Sequence, residues 1–274
     1  MISLLDSTSI TLKGRDFDRW TLNERTRNTQ GIKLHLLLDL STKVPQWYSL
    51  SAANVNDVEQ ARLVPLNPDT LYVFDKGYCD YNWWQKIDAA GAHFVTRFKN
   101  NAALVRQKEY PIPADTQDLI LRDEIVCFKR KCPGGKRVNR YEKRLRRITI
   151  RREDKATPLV LATNDLDSQA SDIAQRYKER WAIELFFKWI KQHLKIKHFL
   201  GCSSNAVHLQ LVTALIGYLL TVLYCHRQRM QHTLWECLSM ISASLFAPAV
   251  SDATLPPTRR RRSSGPALQP LGGT

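Results

Sequence analysis

The chain opens on a segment that alternates apolar and polar residues and reads as a strand. In MISLLDSTSITL, Ile2, Leu4, Asp6, Thr8 and Ile10 fall on one side of an extended strand, so an aspartate points where its neighbours are apolar. GIKLHLLLDL (31–40) and VPQWYSLSA (44–52) predict two more strands joined by a hairpin at STK, and NVNDVEQARLV predicts a short helix capped by Asn54 or Asn56. LYVFDKGY begins as a continuous apolar run, the pattern of a strand buried on both faces. It ends at Asp75, just before Gly77; DYNWWQKIDAAG then reads as helix and AHFVTRFK (92–99) as a fifth strand. Three antiparallel strands followed by two reached through helical connections make an α/β fold, with ligands expected near the carboxyl ends of strands.

From about 100 to 166 the pattern shifts to β-prone pieces, DEIVCFKR, RLRRITIRR and TPLVLATN, punctuated by the turn signal CPGGKR. This predicts a β-rich insertion. Long helices follow from Ser168. In YKERWAIELFFKWIK (177–191), helical spacing gathers Tyr177, Arg180, Glu184, Lys188, Lys191 and Lys195 into one stripe, with Ile183, Phe186, Phe187, Trp189, Ile190 and Leu194 on the other side. Glu184 and Lys188 stand in the i, i+4 order that also decorates ordinary solvated helices. LQLVTALIGYLLTVLYC (209–225) is near the lower length for a bilayer span, yet it carries Gln210 and two Thr, so a buried core helix is expected and no membrane association. The segment 251–274, rich in Pro, Ser, Gly and Arg, reads as a disordered basic tail. The expected organisation is therefore 1–99 and 167–250 as two parts of one core, 100–166 as a basic β insertion, and 251–274 as the tail.

Charge narrows the partner. Of 274 residues, 41 are Lys or Arg and 26 Asp or Glu, a formal net charge of +15. Residues 122–155 alone hold 14 cations and 5 acids, a net of +9, so the positive charge is concentrated in the insertion. A cationic ribbon of this kind suits a phosphate backbone, with Arg130, Arg144 and Arg146 as its contacts. The six cysteines (79, 127, 132, 202, 225, 237) are scattered, which reads as reduced thiols in a cytoplasmic protein rather than a disulfide framework. Cys127 and Cys132 lack a second Cys/His pair at zinc spacing.

Three acids occupy unlike settings: Asp6 inside the first strand, Asp75 at the end of the fourth, and Glu184 on the polar face of a helix after the insertion. Strand-end aspartates are common caps, so each acid alone says little. Three carboxylates converging on a pair of Mg²⁺ ions are what metal-assisted phosphodiester chemistry requires.

The residues DSTSI around Asp6, DKGY at Asp75 and the spaced set Tyr177, Arg180, Glu184 and Lys191 resemble the DDE transposases of bacterial insertion sequences, specifically the IS4 family with its Y-(2)-R-(3)-E-(6)-K signature. The resemblance covers about residues 1–230. It implies an RNase H-like mixed sheet flanked by helices, with a β-rich insertion before the last catalytic helix. Asp6, Asp75 and Glu184 would be catalytic and would bind two Mg²⁺ or Mn²⁺ ions, while Tyr177, Arg180 and Lys191, with Lys188 and Lys195 on the same stripe, would hold DNA. The implied activity is metal-dependent strand cleavage and strand transfer on double-stranded DNA, at transposon ends and target, by a homodimer on DNA in the bacterial nucleoid. Members of that family usually carry a substantial N-terminal region, and this chain starts five residues before its first Asp. A truncated DNA-binding remnant or inhibitor, and an RNase H-like nuclease of repair or recombination, are the alternative readings.

Overall fold

A computed structural model describes residues 1–129, 138–152, 155–194, 196, 198–229 and 233–245. Arg130, Lys195 and the 251–274 tail, all singled out above, lie outside the described residues. The chain divides into two units, Met1–Gln231 and His232–Thr274.

In the first unit the alternating N-terminal segments form β1 (Ile2–Thr11), β2 (Gly31–Asp39) and β3 (Pro45–Ala52), paired antiparallel in sequence order. Between β1 and β2 lies a short helix, α1 (Arg15–Thr21), that the hydrophobic pattern did not announce. Gly31 starts β2 at φ 143°, and a Cβ there would run into the Ile10 carbonyl oxygen of the paired strand. The helix α2 (Asp57–Ala61) starts where expected, with the Asn56 side chain accepting from the Val58 amide. Beyond it come β4 (Leu71–Phe74), α3 (Tyr81–Ala89) and β5 (His93–Arg97), and β4 lies parallel to both β1 and β5. The apolar residues of α3 complete an aromatic core, with Trp83 and Trp84 packed on Phe74 and Phe94.

The insertion does not form a sheet of its own. Its strands β6 (Leu104–Glu109), β7 (Ile120–Phe128) and β8 (Leu145–Ile150), with β9 (Leu159–Thr163), continue the core sheet in the order β3-β2-β1-β4-β5-β9-β8-β7-β6, nine strands among the described residues. The join is made by β9, which pairs antiparallel with β5. Backbone groups at the edge of β5 would otherwise be left unpaired, and the inserted strands satisfy them.

The helix expected through residues 177–195 is two helices. α4 (Ala170–Lys178) ends and α5 (Trp181–His193) begins across Glu179 and Arg180, where Arg180, Ala182 and Ile183 donate amides three residues back rather than four. The single stripe drawn on a continuous wheel is therefore split, and Tyr177 is buried on α4 rather than lying on a polar face. α6 (Ser204–Arg227) follows, capped by the Ser203 hydroxyl. It is not the fully buried helix the sequence suggested: Val207, Leu211, Leu215, Tyr218, Thr221 and Cys225 are buried, whereas Leu209, Ile216, Leu220, Leu223 and Tyr224 stand exposed. α6 is long and apolar enough to cross a membrane, by length and composition only.

In the second unit, the described residues form α7 (Leu234–Leu245). Its start is a capping box in which the Thr233 hydroxyl accepts from the Glu236 amide and the Glu236 carboxylate accepts from the Thr233 amide.

Candidate active site

The parallel pairings set the frame of the site. β1 runs beside β4 from Ile2 opposite Leu71 to Leu5 opposite Phe74, and β4 beside β5 from Leu71 opposite His93 to Val73 opposite Val95. Carried forward at the same offsets, Asp6, Asp75 and Arg97 fall in one row, at the point where β4 stops and β1 continues with β2 alone. Side chains alternate along strands, so all three share the face of Leu4, Val73 and Val95, over which α4 and α5 pack.

α5 brings the third acid to that face. Arg180, at its N-cap, places Nη1 3.4 Å from Asp6 Oδ2 and Nη2 2.5 Å from Glu184 Oε1, so one guanidinium spans the first strand and the helix. Asp75 is held separately: Arg97 Nη2 lies 2.6 Å from its Oδ2, and the Gly77 amide donates to its Oδ1. Burial pushes the Asp6 carboxyl up to about 6; the Ser7 amide and Arg180 pull the other way by favouring the anion, and Glu184 and Asp75 repel it. Asp6 thus feels the charge of both other acids.

Around this row the remaining residues of the expected set separate. The Tyr177 ring lies under Arg180, 6.0 Å from the guanidinium carbon, and Lys191 Nζ donates to the Ser9 carbonyl at 3.1 Å, tying α5 to the far end of β1. Lys188 is exposed on α5, and Arg144 is exposed just ahead of β8. Arg146 is the exception. Instead of facing solvent as the cationic ribbon suggested, it is buried in a two-pronged ion pair with Asp123, Nε to Oδ1 at 2.8 Å and Nη2 to Oδ2 at 2.6 Å, and its Nη1 donates to the Ser168 carbonyl at 2.5 Å. A buried guanidinium whose three nitrogens all donate to protein oxygens is held away from a phosphate on the surface. The alternation of cations along β8 put Arg146 on the inner face of the sheet, where only an acid partner makes it tolerable.

A cleft of about 650 Å³ opens beside the row, lined by Arg97, Arg151, Arg152, Lys178, Arg180 and the exposed indole of Trp181, among others. Arg97, Lys178 and Trp181 were not marked by the sequence reading. Only the register of β5 against β4 would have pointed to Arg97, and that register is a tertiary fact.

The donor set at the row is carboxylate oxygen, the hard anionic ligand that Mg²⁺ and Mn²⁺ prefer. Among the described residues no group of three or more His, Cys, Asp or Glu side chains is gathered closely enough to hold a metal ion as it stands. The acids have arginines beside them as counter-charges, and Asp6 remains hard to ionise despite Arg180. Only the donor type, carboxylate oxygen, matches what a divalent cation prefers.

The family model described as "Transposase DDE domain" matches residues 1–220. A putative transposase, y4zB, of Sinorhizobium fredii (strain NBRC 101917 / NGR234) is 38% identical over 248 residues, covering 90% of this chain and 67% of that protein. A probable transposase for insertion sequence element IS5377 of Geobacillus stearothermophilus is 27% identical over 219 residues, covering 80% of this chain and 55% of that protein. The chain thus spans between about half and two thirds of the length of these relatives. Among solved structures, piggyBac transposase in a synaptic complex with hairpin DNA aligns at a TM-score of 0.51 with 12% identity, covering 96% of this chain and 59% of that one. This likeness shows the fold alone, an RNase H-like mixed sheet with flanking helices.

Proposed function

The chain belongs to the DDE transposases, and on that premise we propose that it cleaves and rejoins DNA at insertion-sequence ends, with Asp6, Asp75 and Glu184 holding two divalent metal ions. The observation that carries the reading is the row itself. Two parallel strands deliver Asp6 and Asp75 side by side, and α5 delivers Glu184 to the same guanidinium that Asp6 touches. Bound to these carboxylates, Mg²⁺ or Mn²⁺ would supply an activated water or 3′-hydroxyl and stabilise the leaving oxygen.

The chain's own groups do the rest. Arg180, positioned by the Tyr177 ring and by Glu184, and Arg97, positioned by Asp75, set fixed positive charge where a phosphodiester's charge grows during displacement. Lys178, Arg151 and Arg152 continue that charge along the cleft, a path for the phosphates of one strand, with Trp181 offering an exposed aromatic face. Exposed Arg144 and Lys188 extend the basic surface as nonspecific DNA contacts. Joining two element ends calls for two copies of the chain on DNA.

The test is cleavage of a duplex carrying the element's terminal inverted repeats, with Mg²⁺ or Mn²⁺ added to the purified chain. The wild type is expected to nick at the element's end, and Asp75→Asn or Glu184→Gln to lose at least about 10²–10³ of that rate while still binding the duplex. DNA binding without metal-dependent nicking in the wild type would instead identify a non-catalytic remnant. Nicking that survives both substitutions unchanged would remove the acids from the mechanism.

A further inference from the structure

The two faces of β1 differ most sharply around Asp6. On the face away from the acids, the paired positions of β1 and β2 run from Leu5 opposite Leu37, both in the aromatic core, to Ser7 opposite His35 and Ser9 opposite Lys33. The layer turns polar at the residue that follows Asp6. Asp57, the first residue of α2, gathers these polar groups: Ser7 Oγ donates to its Oδ1 at 3.3 Å and Lys33 Nζ at 3.0 Å, while His35 Nδ1 stands 3.9 Å from the same oxygen. His35 is wholly buried, its Nε2 within 2.8 Å of the Ser51 hydroxyl and its Nδ1 without a hydrogen-bond partner.

A network of this kind is a costly way to fasten a strand from behind, a task that the Leu5–Leu37 layer performs by apolar burial alone. Its place on the strand shows what it can serve. β1 loses its parallel neighbour after Leu5 and Phe74, so from Asp6 onward β2 is its one partner in the sheet. Ser7 joins the two faces there: its amide donates to Asp6 Oδ1 at 2.8 Å on the acid side, and its hydroxyl donates to Asp57 on the other. We propose that Asp57 is a positioning residue for Asp6, acting through Ser7. Itself fixed by Lys33, the Asp57 carboxylate anchors the Ser7 side chain from behind and so holds the Ser7 amide, and with it the Asp6 carboxylate, in the line of the acid row. The consequence for metal binding rests on the function proposed above, whereas the anchor itself does not. Removing the outer hydrogen-bond partners of a metal ligand weakens the metal by about 10–100-fold.

The experiment uses the full chain without DNA. Ser7→Ala and Asp57→Ala remove the anchor from either end, Ser7→Thr keeps the hydroxyl, and the double variant shows whether the two residues act as one. Hydrogen exchange at the amide of residue 7, followed by NMR and corrected for the intrinsic rate of the residue present, should quicken by about 10-fold or more in both single variants and stay near the wild-type rate in Ser7→Thr. Mn²⁺ affinity, read from the electron paramagnetic resonance of the free ion, should fall by about 10-fold in the same two variants, fall no further in the double variant, and recover in Ser7→Thr. Should Asp57→Ala not fold, Ser7→Ala set against Ser7→Thr makes the same comparison. A merely structural contact would lower the melting temperature and leave the Mn²⁺ affinity of the folded chain as it was. That result overturns the proposal, as do unchanged exchange at residue 7 and losses that add in the double variant. Mn²⁺ binding that Asp75→Asn removes but Ser7→Ala and Asp57→Ala leave alone sinks the anchor and spares the proposed chemistry. Binding that Asp75→Asn does not touch, or none in the wild type, sinks that chemistry and the positioning role with it.

Discussion

Two arginines in this fold meet carboxylates in opposite ways. Arg146 and Asp123 form a closed fork whose side chains are both 6% exposed, and the last guanidinium prong is taken by a carbonyl. Arg180 is stretched between two acids on different elements, at 3.4 Å from one and 2.5 Å from the other, its Nε is buried without a partner, and a third acid with its own arginine stands nearby. In the first arrangement each guanidinium nitrogen donates to a protein oxygen and each carboxylate oxygen accepts from the arginine. In the second one guanidinium serves two acids, and burial, with a smaller push from Glu184 and Asp75, raises the Asp6 carboxyl to about 6 in spite of it. Structural and functional charge clusters thus differ less in residue type than in whether their bookkeeping closes.

The sharpest way to break that comparison is to open the closed pair. Asp123→Ala strands a buried guanidinium and should cost about 3–5 kcal/mol in urea unfolding, whereas the double change Asp123→Leu with Arg146→Met should recover most of it. A loss of less than about 1 kcal/mol in the single variant would show the pair to be no clamp at all. At the open site the sign reverses. Asp6 has a folded-state value above its ordinary 3.8, so its contribution is present at low pH and lost as pH rises through about 6. Asp6→Asn should therefore stabilise the metal-free chain at pH 8 by up to about 3 kcal/mol, and the gain should vanish as pH falls toward 4. A variant less stable than wild type at pH 8 would contradict this.

An effect of similar size runs the other way across an overlapping window. Burial lowers His35 to about 4, so the stability it lends is full above its ordinary 6.5 and is lost as pH falls toward 4. Comparing acid unfolding of wild type with Asp6→Asn isolates the Asp6 part, and His35→Gln should flatten what remains. The smallest effect is on DNA binding: Arg144→Ala should lower the slope of log affinity against log salt by about 1, and Arg146→Gln should leave it unchanged. Equal slopes for both variants would mean that burial of Arg146 does not distinguish it.

Much of the architecture was legible because it is written in local periodicity. The alternation in β1 to β3, the apolar run of β4 and the Asn56 cap are properties of adjacent residues, and they appear where the pattern places them. α1 escaped notice because its seven residues, RDFDRWT, carry no apolar stripe long enough to read. The break between α4 and α5 escaped for the opposite reason: the helical pattern continues through Glu179 and Arg180, and only the backbone shows the tighter turns there. The three acids could be named from their motif, but not that Arg180 lies between two of them.

By itself, then, the chain's sequence determined most of the element types outside α1, β6 and the α4–α5 break, the concentration of positive charge and which acids to examine, since each depends on spacing along one stretch of chain. Tertiary structure alone decided that the insertion would extend the core sheet through β9, that Arg97 would stand in line with Asp6 and Asp75, and that Arg146 would be withdrawn from the surface. Those outcomes turn on strand register and on which face of a sheet is covered. Both are fixed by pairing between residues far apart in sequence, where a slip of one position would turn each of these side chains to the other side.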